Sequence, residues 1–118
     1  MNPSRIVEMA SSFYDSCVLF TASDLGIFAK LADMKKAGSQ ALADACGMSP
    51  KGAELLLNAC VALGLLVKED DLYSNTPESA LFLVPGSPAD LTKAIRYNRD
   101  VYQVWGRLPE MIKTGKPA

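Results

Sequence analysis

The side chains with the most chemical potential in this sequence are three cysteines and a late run of cations. The cysteines are Cys17, Cys46 and Cys60. The cations are Lys93, Arg96, Arg99, Arg107, Lys113 and Lys116, opposed over that stretch only by Asp100 and Glu110. Histidine is absent, which removes the commonest general base, nucleophile activator and metal ligand together. The thiols are odd in number, widely spaced and without a C-x-x-C pair, and each lies in an apolar helical pattern. They read as reduced core residues of a cytoplasmic protein. The cations read as a solvated helix face, with an anion or substrate contact as the alternative. No Gly-rich phosphate loop, H-E-x-x-H or G-x-S-x-G motif occurs. The sequence therefore predicts no catalytic residue, no cofactor-binding residue and no metal ligand of its own.

The elements that would position any site are mostly helical. Asn2 can cap a first helix with Pro3 in its first turn. Along that helix Ile6, Met9, Ala10, Phe13, Cys17 and Phe20 form one apolar row, and Val7, Tyr14 and Val18 form a second. A surface helix needs a single row, so two rows imply contact with its own domain and with something else, such as the same helix of a second copy. Leu25, Ile27, Phe28 and Leu31 continue as a second helix, bent at Gly26, and Asp33 to Gly38 reads as a polar loop. Ser39 caps a short helix ending near Cys46, with Gly47 as its left-handed stop. Ser49-Pro50 opens another that runs to Leu63 and halts at Gly64. Two short helices around a tight Gly-containing turn make a helix-turn-helix.

Leu65–Lys68 and Leu72–Asn75 read as strands flanking the acidic turn Glu69-Asp70-Asp71, a small β-hairpin wing. Thr76-Pro77 starts a further short helix through Phe82. The loop Pro85-Gly86-Ser87-Pro88 then caps a long helix whose Leu91, Ala94, Ile95, Asn98, Val101, Tyr102 and Trp105 share a face. Gly106 and Pro109 break it, and Leu108, Met111 and Ile112 form a last turn. The predicted class is mostly α: a winged helix-turn-helix with a β-hairpin wing and extra N- and C-terminal helices.

A chain of 118 residues is one domain by length, burying roughly 65% of its unfolded surface. Hydrophobic residues are 49% of it and the mean hydropathy is +0.11. Either a rich core or a surface covered by a partner accounts for that excess, and the second suits so small an interior better. The net charge of −1 gives no global pull toward nucleic acid or anionic lipid. No apolar run approaches a membrane span, and the opening MNPSRIVEM lacks the stretch of a signal peptide. No membrane partner is expected.

A winged helix suggests DNA, but the recognition helix argues otherwise. Between Ser49 and Leu63 only Lys51, Glu54 and Asn58 are polar groups suited to a groove, against Leu55, Leu56, Leu57, Cys60, Val61 and Leu63. Glu54 and the acidic wing tip would repel phosphate, and few cations are available to release counterions. No nucleic-acid partner is expected.

Read together, these segments resemble the N-terminal dimerisation domain of S-adenosylmethionine-dependent O-methyltransferases of the plant phenolic, acetylserotonin and bacterial natural-product type. The resemblance rests on the order of ASDLGIF (residues 22–28), SQALADACGMSPKGAELLLNACVALGLL (39–66), YSNTP (73–77), and WGRL (105–108) leading to TGKP (114–117). It implies a winged helix kept as a scaffold, and first helices that intertwine two subunits. It also implies a small-molecule acceptor, probed by the partner's first helix and by the long helix. Carried over by position, Phe13, Tyr14, Arg96, Tyr97, Tyr102 and Trp105 become candidate acceptor-pocket residues, each with ordinary packing or surface roles as the alternative. Ile6, Met9, Phe13, Cys17, Val18 and Phe20 become candidates for the homodimer interface. Met9 and Met111 could line an apolar pocket or fill core.

The resemblance further implies three regions: 1–33 as dimerisation helices, 39–76 as helix-turn-helix and wing, and 77–118 as C-terminal helices leading toward a catalytic domain. S-adenosylmethionine and the catalytic base are expected in that following domain, so residues 1–118 alone should be inactive. Two other readings compete, a dimeric winged-helix transcriptional regulator and a stand-alone dimeric interaction module.

Overall fold

The computed structural model describes residues 1–117. The chain opens with α1 (Ser4–Ser11) and α2 (Phe13–Asp24), which meet at Ser12. The single first helix expected from the apolar rows is therefore two. The reason lies in consecutive serines: the Ser11 hydroxyl donates to the Val7 carbonyl at 2.9 Å and that of Ser12 to Met9 at 3.2 Å. Such back-bonding loosens a helix locally, and Ser12 itself keeps helical φ and ψ of −59° and −24°. At the start Pro3, not the expected Asn2, holds the cap position of α1, and Asn2 Oδ1, one residue earlier, accepts from the Ser4 amide at 2.9 Å.

Gly26, at φ 78°, turns the chain into α3 (Ile27–Met34). That helix takes in Asp33 and Met34, so the expected polar loop is shorter. Within it Ala37 is buried and exchanges two backbone hydrogen bonds with Tyr73, at 3.0 and 2.8 Å. A third strand-like rung is thereby added to the wing, which polarity alone did not disclose. The helix-turn-helix follows as α4 (Ser39–Cys46) and α5 (Pro50–Ala62). Gly38 rather than Ser39 occupies the cap position of α4, whereas Ser49 caps α5 by accepting from the Gly52 amide at 2.9 Å. Strands β1 (Leu66–Glu69) and β2 (Leu72–Asn75) pair antiparallel, with Glu69 opposite Leu72. Asp70 and Asp71 between them lie at φ 51° and 61°, the left-handed pair of a two-residue type I′ turn.

Phe28 and Leu31 of α3, Leu42 of α4, Leu57 and Cys60 of α5 and Tyr73 of β2 are buried together in one core. Tyr73 reaches out of it only through its hydroxyl, which donates to Asn58 Oδ1 at 2.6 Å. The helix α6 (Pro77–Phe82) is capped by Thr76 and carries the buried Ser79, whose hydroxyl donates to the Leu65 carbonyl at 2.7 Å. Beyond it run α7 (Thr92–Trp105) and α8 (Leu108–Thr114). The start of α7 is held by Asp90, whose Oδ1 accepts from the Thr92 amide at 2.8 Å; the Pro-Gly-Ser-Pro loop expected to do this lies just upstream.

None of α1, α7 and α8 contains a fully buried residue. Their projection shows in the dimensions. The radius of gyration is 16.6 Å, against about 13.5 Å for a compact domain of this length. The accessible surface is 7989 Å², exceeding by about 1,700 Å² that of a typical monomer of this mass. Much of the apolar surplus read from composition lies on the terminal helices, at Ile6, Val7, Met9, Trp105 and Ile112 among others, with further exposed apolar residues such as Leu55 and Leu81 around the winged-helix core.

Candidate functional site

The packing of α7 against α2 leaves a groove of about 500 Å³ between them. Its walls carry four aromatic rings, Phe13 and Phe20 from α2 and Tyr102 and Trp105 from α7. Phe20 and Tyr102 meet edge to face with centroids 6.0 Å apart. Leu19, Ile95 and Val101 supply aliphatic surface, and Ser12, Ser16 and Asn98 the polar groups. No lining side chain is charged. Tyr102 holds its proton to higher pH than a free phenol, because of a hydrogen bond with the neighbouring Cys17 thiol and repulsion from that group once it ionises. The groove can therefore receive a flat apolar molecule or an apolar helix face and offer it hydrogen bonds, but it holds no group that exchanges protons near neutral pH.

The six candidate acceptor residues divide. Phe13, Tyr102 and Trp105 share the groove, with Phe13 46% and Trp105 62% exposed. Tyr14 stacks edge-on against Phe13 at 4.6 Å but points its surface outward, and Tyr97 is 68% exposed on the open side of α7. Arg96 borders a separate small cleft with Ser23, Phe28 and Thr92. The structure thus unites half of that set. It adds Ser16, and it joins Phe20, from the apolar row that carries Phe13, to Asn98, from the face that carries Tyr102 and Trp105; only the packing of two helices distant in sequence brings the row and the face together.

The candidate partner face divides as well. Ile6, Met9 and Phe13 are exposed. Cys17, Val18 and Phe20 are half-buried within their own chain, Val18 against the core and Phe20 against Tyr102. Met9 neither lines the groove nor fills core, and Met111 lies half-buried by a cleft at α8. Of the three thiols only Cys60 is a core residue; Cys17 and Cys46 are half-buried. Burial pushes the Cys60 thiol up to about 11.

The outward face of α5 offers Lys51, Glu54, Asn58 and Leu55, the last 62% exposed. Asn58 is already engaged by Tyr73 and, at 3.4 Å, by Lys68. Among the described residues no group of three or more His, Cys, Asp or Glu could hold a metal ion, and no helix is long and apolar enough to cross a membrane. The residues present do not fit S-adenosylmethionine either. The one sheet among them is the antiparallel hairpin, and its exit into α6 runs through Thr76-Pro77 instead of a glycine-rich turn.

A family model described as the O-methyltransferase dimerisation domain matches residues 7–85. The chain is 38% identical to acetylserotonin O-methyltransferase of Bos taurus, over 96% of this chain and 34% of that protein. It is 34% identical to a tetracenomycin polyketide synthesis 8-O-methyl transferase of Streptomyces glaucescens, over 97% of this chain and 34% of that protein. The chain thus spans about a third of the length of these curated relatives. Among solved structures, human N-acetylserotonin methyltransferase in complex with SAM superposes with a TM-score of 0.85 at 32% identity, over 98% of this chain and 36% of that one. An O-methyltransferase family protein from Burkholderia thailandensis superposes with a TM-score of 0.87 at 25% identity, over 100% of this chain and 35% of that one. Winged-helix core, uncovered terminal helices and sequence agree: this chain belongs to the O-methyltransferase dimerisation-domain family.

Proposed function

We propose that this chain is the dimerisation and acceptor-capping domain of a cytoplasmic S-adenosylmethionine-dependent O-methyltransferase acting on a small aromatic or natural-product acceptor. The observation that carries the reading is the uncharged aromatic groove beside an uncovered apolar helix. One feature suits a flat acceptor; the other suits a second copy of the chain. Two copies covering each other's surplus surface would bury about 3,400 Å², within the range of obligate dimers. In this reading Ile6, Met9 and Phe13 lie in the homodimer interface. Phe13, Tyr102 and Trp105 shield the acceptor from water and orient it, with Tyr14, Arg96 and Tyr97 at its margins. S-adenosylmethionine supplies the methyl group from a domain beyond these residues. Glu54 on the outer face of α5 and the acidic wing tip speak against a duplex-reading regulator.

The test is isotope transfer. The complete protein that carries this segment is incubated with S-adenosylmethionine bearing a labelled methyl group and a panel of phenols. Label should appear on an acceptor oxygen, and Trp105→Ala should raise KM for it. Transfer to no acceptor in the panel, or transfer indifferent to groove substitutions, would overturn the proposal.

A further inference from the structure

We infer that the ion pair between Arg99 and Asp24 is a latch that sets the opening of the aromatic groove, making these two residues positioning elements for its occupant. Only the identification of that occupant with an acceptor rests on the proposed function; the latch itself does not. The argument begins with how little holds α7 in place. The helix has no fully buried residue. Its N-terminal end is tied down by the Leu91 amide, which donates to the Phe82 carbonyl at 2.9 Å, and by Ile95 against the core. Its far end meets α2 through Tyr102 on Phe20. Between them Arg99 Nη1 lies 3.2 Å from Asp24 Oδ2. Ile95, Arg99 and Tyr102 are spaced four and three apart and so share one face.

Asp24 ends α2, where the negative pole of the helix disfavours a carboxylate. A carboxylate placed against that local preference needs a cation from elsewhere, and Arg99 supplies it. The neighbouring Asp100 places Oδ1 3.1 Å from Arg99 Nε without a hydrogen bond to it, so it adds charge beside the guanidinium while Asp24 provides the contact across the helices. Among the described residues this is the one ion pair that joins two elements. From Arg99 to Trp105 the helix runs about 9 Å, so a 10° swing about the latch would move the indole by about 1.6 Å. A displacement of that size is enough to spoil a stacked pose. The pair is one-third exposed, with side chains at 34% and 36%, so it contributes little to stability while governing geometry.

The experiment uses Trp105, the single tryptophan, as reporter. Binding of 2-naphthol is followed by indole quenching in the wild-type chain, in Arg99→Ala and Asp24→Asn, and in the charge-swapped double variant Asp24→Arg/Arg99→Asp. Each single variant should weaken naphthol binding about threefold to fivefold, as far as a pair worth up to about 1 kcal/mol can shift it, while lowering the melting temperature by less than about 5 °C. The swap should restore binding to within about 1.5-fold. Unchanged binding in the single variants, or losses that the swap leaves unrepaired, would overturn the latch. If the wild-type chain does not bind naphthol, the acceptor reading of the groove fails. The latch then stands or falls on acrylamide quenching and anisotropy of Trp105, which the single variants must alter and the swap restore.

Discussion

Raising the pH should expose how deeply Cys60 is committed to the core. Its side chain has no exposure, and burial lifts its pKa from 9.0 to about 11. A folded-state pKa above the unfolded one means that the native chain holds the proton longer. The stability this represents is fully present below pH 9 and is lost as pH rises through 11. Two units correspond to about 2.7 kcal/mol in all, and to about 1.4 kcal/mol at pH 10. The assay is urea unfolding under reducing conditions at pH 7.5, 9 and 10, at fixed chain concentration because association would also shift the midpoint. Other groups titrate in this range, so Cys60→Ala serves as the reference. Wild type should lose about 1.4 kcal/mol more than the variant between pH 7.5 and 10. In the folded chain Cys60 should also resist alkylation while Cys17 reacts. Identical pH slopes for the two proteins would refute the reasoning, because they would mean that the thiol ionises without leaving the core.

Three further substitutions probe other links. Gly26→Ala should destabilise by about 1–2 kcal/mol through backbone strain, since φ is 78° and an added Cβ would meet nothing within 4 Å; thermal melting measures it, and an unchanged midpoint would show that the α2–α3 turn relaxes freely. Ser79→Ala removes a 2.7 Å hydrogen bond to the Leu65 carbonyl and should cost about 1–2 kcal/mol in urea unfolding. A smaller loss would mean that the Thr76 hydroxyl, 3.4 Å from the same carbonyl, moves in as substitute. Met9→Glu places a charge on an exposed apolar position of α1 and should weaken self-association without changing the circular dichroism of the core; unaltered association would remove α1 from the interface.

What could be read in advance, and what could not, follows from the range of each interaction. The helix-turn-helix, the hairpin and the Ser49 and Thr76 caps were legible because their signals are local: a proline after a hydroxyl, a glycine after a helix, an acidic pair between two β-rich runs. The break at Ser12 was not, because the apolar rows continue across it and only the two serine hydroxyls interrupt the helix. Ala37 was hidden in a polar stretch whose burial depends on Tyr73, far along the chain. The groove was half legible. The resemblance pointed to Phe13, Tyr102 and Trp105, and helical spacing had already placed Phe20 in the row of Phe13 and Asn98 on the face of Tyr102; the meeting of that row with that face and the Arg99–Asp24 contact depend on the angle at which α7 crosses α2, and no local pattern encodes that angle.

The proposed covering of the apolar face of α1 by a second copy of the chain is tested most directly by sedimentation equilibrium. At micromolar concentration the chain should sediment at twice its 12.7 kDa mass, with a dimer that Met9→Glu shifts toward the single-chain mass. A monodisperse 12.7 kDa species across the accessible concentration range would contradict the account.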